Sequence, residues 1–344
     1  MHASSAMPNP FGLSQRARRT REQPIAYLMA QAVTNPDLIS LAAGLVDYDT
    51  LPAVESAALL QEVLAEPRTA RAALQYGTTP GLAELRAALL EHMAGLHGFD
   101  PAALGASADD VVVTTGSQQL LFLLTDALID PGDIVLTAWP SYFVYMRTLA
   151  ACGARVRCVD MDDDGIVPAA LERTLSEIDA AGALPRVKIL YLVSYHQNPT
   201  GITLSAERRP EVLEIARRYS REHRILVLDD AAYCELTYEG TAPPSLKAWD
   251  TGNAHVALLQ TFSKPFAPGL KTGYALLPRD LVEPVILQKG NHDFGSANFA
   301  QHVLLAALRG GAYARHVQVL RRQYAAKRDA MLAALDAELG DFQP

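Results

Sequence analysis

From about Ala108 onward the chain alternates short apolar runs rich in Val, Ile and Leu with longer segments of helical period, and no other feature constrains its fold as strongly. Strands buried on both faces read as continuous apolar runs, and two parallel strands need a crossover long enough to hold a helix. Residues 110–114 predict one such strand and 120–129 a helix. That helix ends at the turn Asp130-Pro131-Gly132-Asp133, and the next strand starts at 134–137. Further strands are predicted at 155–159, 187–194, 225–228, 255–259 and 272–277, with helices at 142–151 and 206–221. The fold class that follows is α/β, a parallel sheet wrapped by helices. Beyond Pro278 the pattern changes to long helices, with spaced apolar residues at 304–308 and 317–335, which predicts a second, smaller domain built from both chain ends.

At 344 residues, with 49% hydrophobic and 20% charged side chains, the chain can bury a substantial core. The formal charge of -8 and the pI near 5.6 argue against a nucleic-acid or anionic-membrane surface, which needs a basic face, and leave small molecules as the expected partners. Cys152, Cys158 and Cys234 show no CxxC spacing; an odd count suggests a reducing compartment, simplest as the cytoplasm, and no metal site is expected. Arg16, Arg18, Arg19 and Arg21 form a basic run, but Glu22 and Pro24 interrupt it and no apolar stretch of signal-peptide length follows. No window reaches the roughly 18 uninterrupted apolar residues of a membrane span.

Five short motifs carry chemistry, and each falls at the carboxyl end of a predicted strand, where open α/β sheets place their ligands. Thr261-Phe262-Ser263-Lys264-Pro265 sets a lysine beside small hydroxyls and a Pro/Gly turn, where desolvation lowers an amine's pKa enough for Schiff-base formation. A lone Ser-Lys is more often a solvated surface pair. Asp229-Asp230-Ala231-Ala232-Tyr233 offers a carboxylate for a protonated ring nitrogen and a tyrosine three residues on; the bland alternative is a helix cap with a half-buried tyrosine. Gln197-Asn198-Pro199-Thr200-Gly201 is a turn that also fixes an amide able to donate to a phenolate oxygen. Thr115-Gly116-Ser117-Gln118-Gln119 opens a helix with free N–H groups aimed outward, either a phosphate cradle or a plain capped helix. Trp139-Pro140-Ser141-Tyr142 supplies an aromatic ring that stacks either on a flat ligand or on the core. A phosphate site, a ring platform, a phenolate partner, a ring-nitrogen partner and an imine-forming lysine together describe pyridoxal phosphate.

In order and spacing these motifs make the chain resemble the class I/II aminotransferases of the aspartate aminotransferase superfamily, over about residues 39–341, nearest in style to the 2-aminoadipate and aromatic aminotransferases. The resemblance implies the fold type I architecture: a mostly parallel seven-stranded sheet sandwiched by helices, with a smaller α+β domain. It also implies a division into an N-terminal segment 1–48, a large cofactor domain 49–283 and a helical start of the small domain 284–344. It makes Lys264 the lysine that binds the cofactor and moves the substrate proton, with Asp230 and Tyr233 as the other catalytic residues. Gly116, Ser117, Gln118, Thr261, Ser263 and Lys271 fall to the phosphate side, Tyr142 to ring stacking, and Asn198 and Tyr233 to the ring hydroxyl. Gly44 and Asn198 border the substrate, and Tyr76 resembles the tyrosine that reaches the partner subunit's phosphate, which implies a homodimer with shared sites. The implied reaction carries an amino group from an amino acid to a 2-oxo acid. Alternatives are a lyase or synthase on the same fold, or a non-catalytic ligand-binding domain like those joined to winged helices.

Two features depart from the family pattern. Lys271 stands where an arginine is usual, keeping charge but losing the bidentate fork. The family also continues into further small-domain strands and an arginine that clamps the substrate α-carboxylate, so the sequence is read as a fragment, with Arg18 or Arg19 as the conceivable substitute for that clamp.

Overall fold

The computed structural model describes residues 11–21, 24–35, 37–41 and 44–340. Among the described residues six α-helices precede the first strand: α1 (Gln15–Arg19), α2 (Pro24–Thr34), α3 (Ala53–Ala65), α4 (Pro67–Leu74), α5 (Ala83–His97) and α6 (Pro101–Leu104). Their ends follow local chemistry. Glu66 and Asp100 accept from backbone N–H groups of α4 and α6, a proline fills the first turn of each, and left-handed Gly98 and Gly105 stop α5 and α6.

The alternating region then runs β1 (Val111–Thr114), α7 (Gly116–Leu128), β2 (Ile134–Ala138), α8 (Phe143–Cys152), β3 (Arg155–Val159), a short ribbon β4 (Met161–Asp162) and β5 (Gly165–Ile166), and α9 (Pro168–Ala180). It continues with β6 (Val187–Val193), α10 (Arg208–Arg218), β7 (Leu226–Asp230), β8 (Val256–Thr261) and β9 (Gly273–Leu276), and closes with helices α11 (Arg279–Asp293), α12 (Asn298–Arg309) and α13 (Ala312–Leu339). Seven strands form one sheet in the order β1-β9-β8-β7-β6-β2-β3. The run from β3 to β8 is parallel, while β9 lies antiparallel between β8 and β1. The expected mostly parallel seven-stranded sheet is therefore present. Two apolar layers cover the parallel part, one built with α9 and α10, the other with α7, α8 and α11. A third core joins α3, α5, α12 and the start of α13 to β1 and β9.

The division expected at 283/284 falls inside α11, and α11 and α12 pack against the sheet's own layers. Among the described residues only helices follow β9. The outer half of α13 presents Met331, Leu332, Leu335 and Leu339 to solvent. No helix is long and apolar enough to cross a membrane among the described residues.

Candidate active site

Because β9 runs antiparallel between two strands that share a direction, its first residue sits at their carboxyl ends: Gly273 is the register partner of both Thr114 and Thr261. A Cβ at Gly273 would stand 2.3 Å from the Ser117 nitrogen and 2.5 Å from the Gly116 carbonyl carbon, so only glycine lets β9 and the start of α7 approach this closely. That contact ties the Gly116-Ser117 turn to the loop carrying Lys264. Gly116 itself has φ +71° and open space where a Cβ would be, as a backbone that receives a ligand needs.

Lys264 follows a turn closed by its neighbours. The Ser263 N–H donates to Thr261 Oγ1 (3.1 Å), the two hydroxyls lie 3.0 Å apart, and the Phe262 N–H donates to Thr272 O. The Lys264 amine donates to Gly44 O at 3.5 Å and sits 5.8 Å from the Tyr233 ring centre. Desolvation holds its pKa below the usual lysine range, against the opposing pull of Asp230.

The two aspartates ending β7 point to opposite faces, as strand alternation requires. Asp229 is fully buried and saturated: it accepts from Ser194 Oγ, Ser245 Oγ (2.7 Å) and the Leu246 N–H (3.2 Å). Asp230 is buried too, but accepts only from Tyr191 Oη (2.9 Å) and the Ala232 N–H (3.2 Å), with no cation in contact among the described residues. Burial pushes it up to about 6; the Tyr191 and Ala232 hydrogen bonds resist, Asp229 adds to the rise, and Lys264 opposes it. Of the two candidate carboxylates, the geometry frees Asp230.

Tyr233, Tyr142 and Asn198 close around the same space. Burial raises the Tyr233 pKa, a hydrogen bond from the Asn198 side chain lowers it, and Asp230 raises it further. Tyr142 is raised by burial, then by Asp230 and Tyr233, and its hydroxyl lies 3.5 Å from Gln118 Oε1. The Gln197 amide donates to Pro140 O (2.7 Å), locking the Asn198 turn to the Tyr142 turn; Asn198-Pro199 and Trp139-Pro140 are both cis. Beside Lys264 opens a cleft of about 760 Å³ whose walls include Gly44, His196, Tyr233, Tyr238, Lys327 and Arg328.

The structure thus brings Lys264, Asp230, Tyr233, Tyr142, Asn198 and Gly44 together, and sets Gly116, Ser117, Gln118, Thr261 and Ser263 along one edge. Lys271 is exposed, in a left-handed turn (φ 49°) two residues before Gly273. Tyr76 is 84% exposed and edge-on to Phe294. Arg18 Nε donates to Leu13 O and Arg19 Nε to Ala151 O, at the end of α8, and neither lines this chain's cleft beside Lys264. Sequence reasoning missed Tyr191 and Gly273. Tyr191 had a signal, a hydroxyl-bearing residue inside the apolar run of β6; Gly273 had none, since its role depends on the direction of β9. Among the described residues no group of His, Cys, Asp and Glu is placed to hold a metal ion.

With this geometry in place, a profile of the family described as aminotransferase class I and II matches residues 36–344. The chain is 33% identical to aromatic-amino-acid aminotransferase 1 of Thermococcus litoralis, over 95% of this chain and 75% of that protein. It is 31% identical to the 2-aminoadipate transaminase of Thermus thermophilus, over 88% and 71%. The solved kynurenine aminotransferase of Pyrococcus horikoshii, whose structure was determined with PMP, superposes with a TM-score of 0.86 at 32% identity, covering 97% of this chain and 78% of that one.

Proposed function

Because the chain belongs to the aminotransferase class I and II family, enzymes that use pyridoxal phosphate to move an amino group, we propose that its cofactor and substrate work is done by the residues gathered around Lys264. The observation that carries this is an amine of lowered pKa, coupled to a buried carboxyl without a cationic partner, at one end of a space bounded by Tyr142, Tyr233 and Asn198. These residues fit the cofactor. Asp230 lacks a cation, and a ring-nitrogen proton would supply one; Gly116 leaves open space above a helix start whose N–H groups suit a phosphate.

Pyridoxal phosphate, when bound, supplies an electron sink for negative charge at the substrate Cα. Lys264 would hold the cofactor covalently, and its amine, when free, would carry the proton taken from the substrate Cα. Its depressed pKa leaves more of the amine neutral at working pH. Asp230 keeps the ring nitrogen protonated, held in place by Tyr191 and Ala232. Asn198 and Tyr233, hydrogen-bonded to each other, would hold the ring hydroxyl, and Tyr142 would offer the ring a stacking surface. Ser117, Gln118, Thr261 and Ser263, with the Gly116 backbone and Lys271, hold the phosphate; Gly44 and Asn198 border the substrate carboxylate. The substrates are an amino acid and a 2-oxo acid.

The exposed Tyr76–Phe294 pair, with exposed Leu74 two residues before Tyr76, supports a homodimer in which Tyr76 serves the partner's site. Three free cysteines fit a reducing cytoplasm.

Borohydride reduction of the cofactor-loaded protein followed by peptide mapping tests the site. The expected product carries the reduced cofactor on Lys264 alone, and an amino acid added first converts the cofactor to its amine form. Labelling of another lysine, or none, refutes the assignment.

A further inference from the structure

Behind the Gly116-Ser117-Gln118 turn lies a set of polar contacts that none of the roles above uses. Thr115, the residue before α7, makes no side-chain cap to the helix. Instead its N–H donates to Gln119 Oε1 at 2.7 Å, so the Gln119 amide folds back from within the helix and leaves the N–H groups of the first turn free to face a ligand. The other end of that amide, Nε2, donates to Asp293 Oδ2 at 2.7 Å and lies 3.0 Å from His292 Nδ1. The Thr115 hydroxyl stands 3.4 Å from both Asp293 Oδ2 and Ser296 Oγ. Asp293 ends α11, and its second oxygen accepts from Lys289 Nζ at 2.7 Å, one helical turn earlier. The Lys289 side chain is wholly buried. Directly after Asp293, Phe294 takes a left-handed conformation (φ 61°) and its carbonyl accepts from Thr79 Oγ1 at 2.8 Å, which fixes the end of α11 from the far side.

We infer that Asp293, braced by Lys289 and acting through Gln119, is a positioning residue that holds the Gly116-Ser117-Gln118 turn in the shape that receives the cofactor phosphate. The inference rests on reading that turn as the phosphate cradle. Its physical basis is twofold. A turn of free N–H groups recognises an anion well only if its geometry is set beforehand, and the Asp293–Gln119–Thr115 chain sets it. A bare carboxylate behind an anion site would repel the ligand, whereas one neutralised by a buried ammonium holds the turn without placing net negative charge there. Removing Lys289 leaves an uncompensated carboxylate beside the cradle, and removing the Asp293 carboxylate loosens the hold on Gln119.

The test compares pyridoxal phosphate with pyridoxal, which lacks the phosphate, by equilibrium dialysis on the whole chain. Asp293→Asn and Lys289→Met are each expected to weaken pyridoxal phosphate by roughly tenfold while leaving pyridoxal binding nearly unchanged. Gln119→Met removes the connecting amide without disturbing the ion pair, so it reports even if the charge variants fail to fold, and the same phosphate-specific loss is expected. Full phosphate affinity in Gln119→Met, or an equal loss for both ligands in any well-folded variant, overturns the proposal. Ser117→Ala checks the premise separately. A parent chain that binds both ligands equally, with Ser117→Ala indifferent to the phosphate, sinks the cradle itself rather than its latch.

Discussion

Two lysines less than twenty residues apart in sequence make opposite use of burial. Lys247 is fully enclosed, and its ammonium donates to Asp250 (2.9 Å), to Asn253 and to the Val256 carbonyl (2.6 Å), so all three of its protons are taken. Lys264 is desolvated too, yet among the described residues donates only to Gly44 O at 3.5 Å. The aspartates of β7 repeat the contrast: Asp229 is filled by Ser194, Ser245 and Leu246, whereas Asp230 has two neutral donors and, among the described residues, no cation in contact. A saturated buried polar group serves the fold. One left with unused capacity beside a cleft is what a ligand completes, and that difference marks the site.

The widest gap between the two regions should open on truncating the lysines. Lys264→Ala is expected to cut amino-group transfer by at least about 10⁴-fold, with unfolding free energy within about 1 kcal/mol of the parent. Lys247→Ala strands the Asp250 carboxylate in the core and should cost about 3–5 kcal/mol of stability. Steady-state kinetics and urea unfolding check both, and a Lys264→Ala chain as crippled in folding as Lys247→Ala would erase the distinction.

A smaller effect sharpens the carboxylate contrast. Burial pushes Asp230 from 3.8 up to about 6, so the folded chain binds this proton more tightly than the unfolded one. Its contribution therefore becomes less favourable as pH rises from 4 to 6 and is constant above that, at a cost of about 3 kcal/mol. Without cofactor, Asp230→Asn should accordingly stabilise the chain by up to that amount at pH 8, with the gain shrinking as pH falls towards 4. Thermal unfolding across pH measures it, and a pH-independent effect would contradict the origin assigned to it.

Much of this was legible in the sequence, for physical reasons. Six of the seven sheet strands are visible because strands covered on both faces cannot avoid being continuously apolar, the mostly exposed edge strand β3 being the exception, and turn chemistry marks where strand ends release Lys264, Asp230, Asn198 and Tyr142. The direction of β9 was not, since strand polarity is decided by packing partners far along the chain; with it went the reason for Gly273. Helices α3 and α5 escaped a sequence assignment because Ala-rich faces give little contrast between buried and exposed sides. The Lys289–Asp293 pair reads locally as an ordinary i,i+4 surface pair, and only the tertiary contact with Gln119 gives it a place at the site.

Carbon-13 NMR of the aspartate carboxyls, titrated with and without pyridoxal phosphate, tests the central claim most directly. A carboxyl titrating near pH 6 in the cofactor-free chain, absent from Asp230→Asn, should move well below its starting midpoint once cofactor binds, because a ring-nitrogen proton supplies the cation it lacks. A midpoint that stays near 6 with the cofactor bound would mean that Asp230 does not face the ring, and the account would fail.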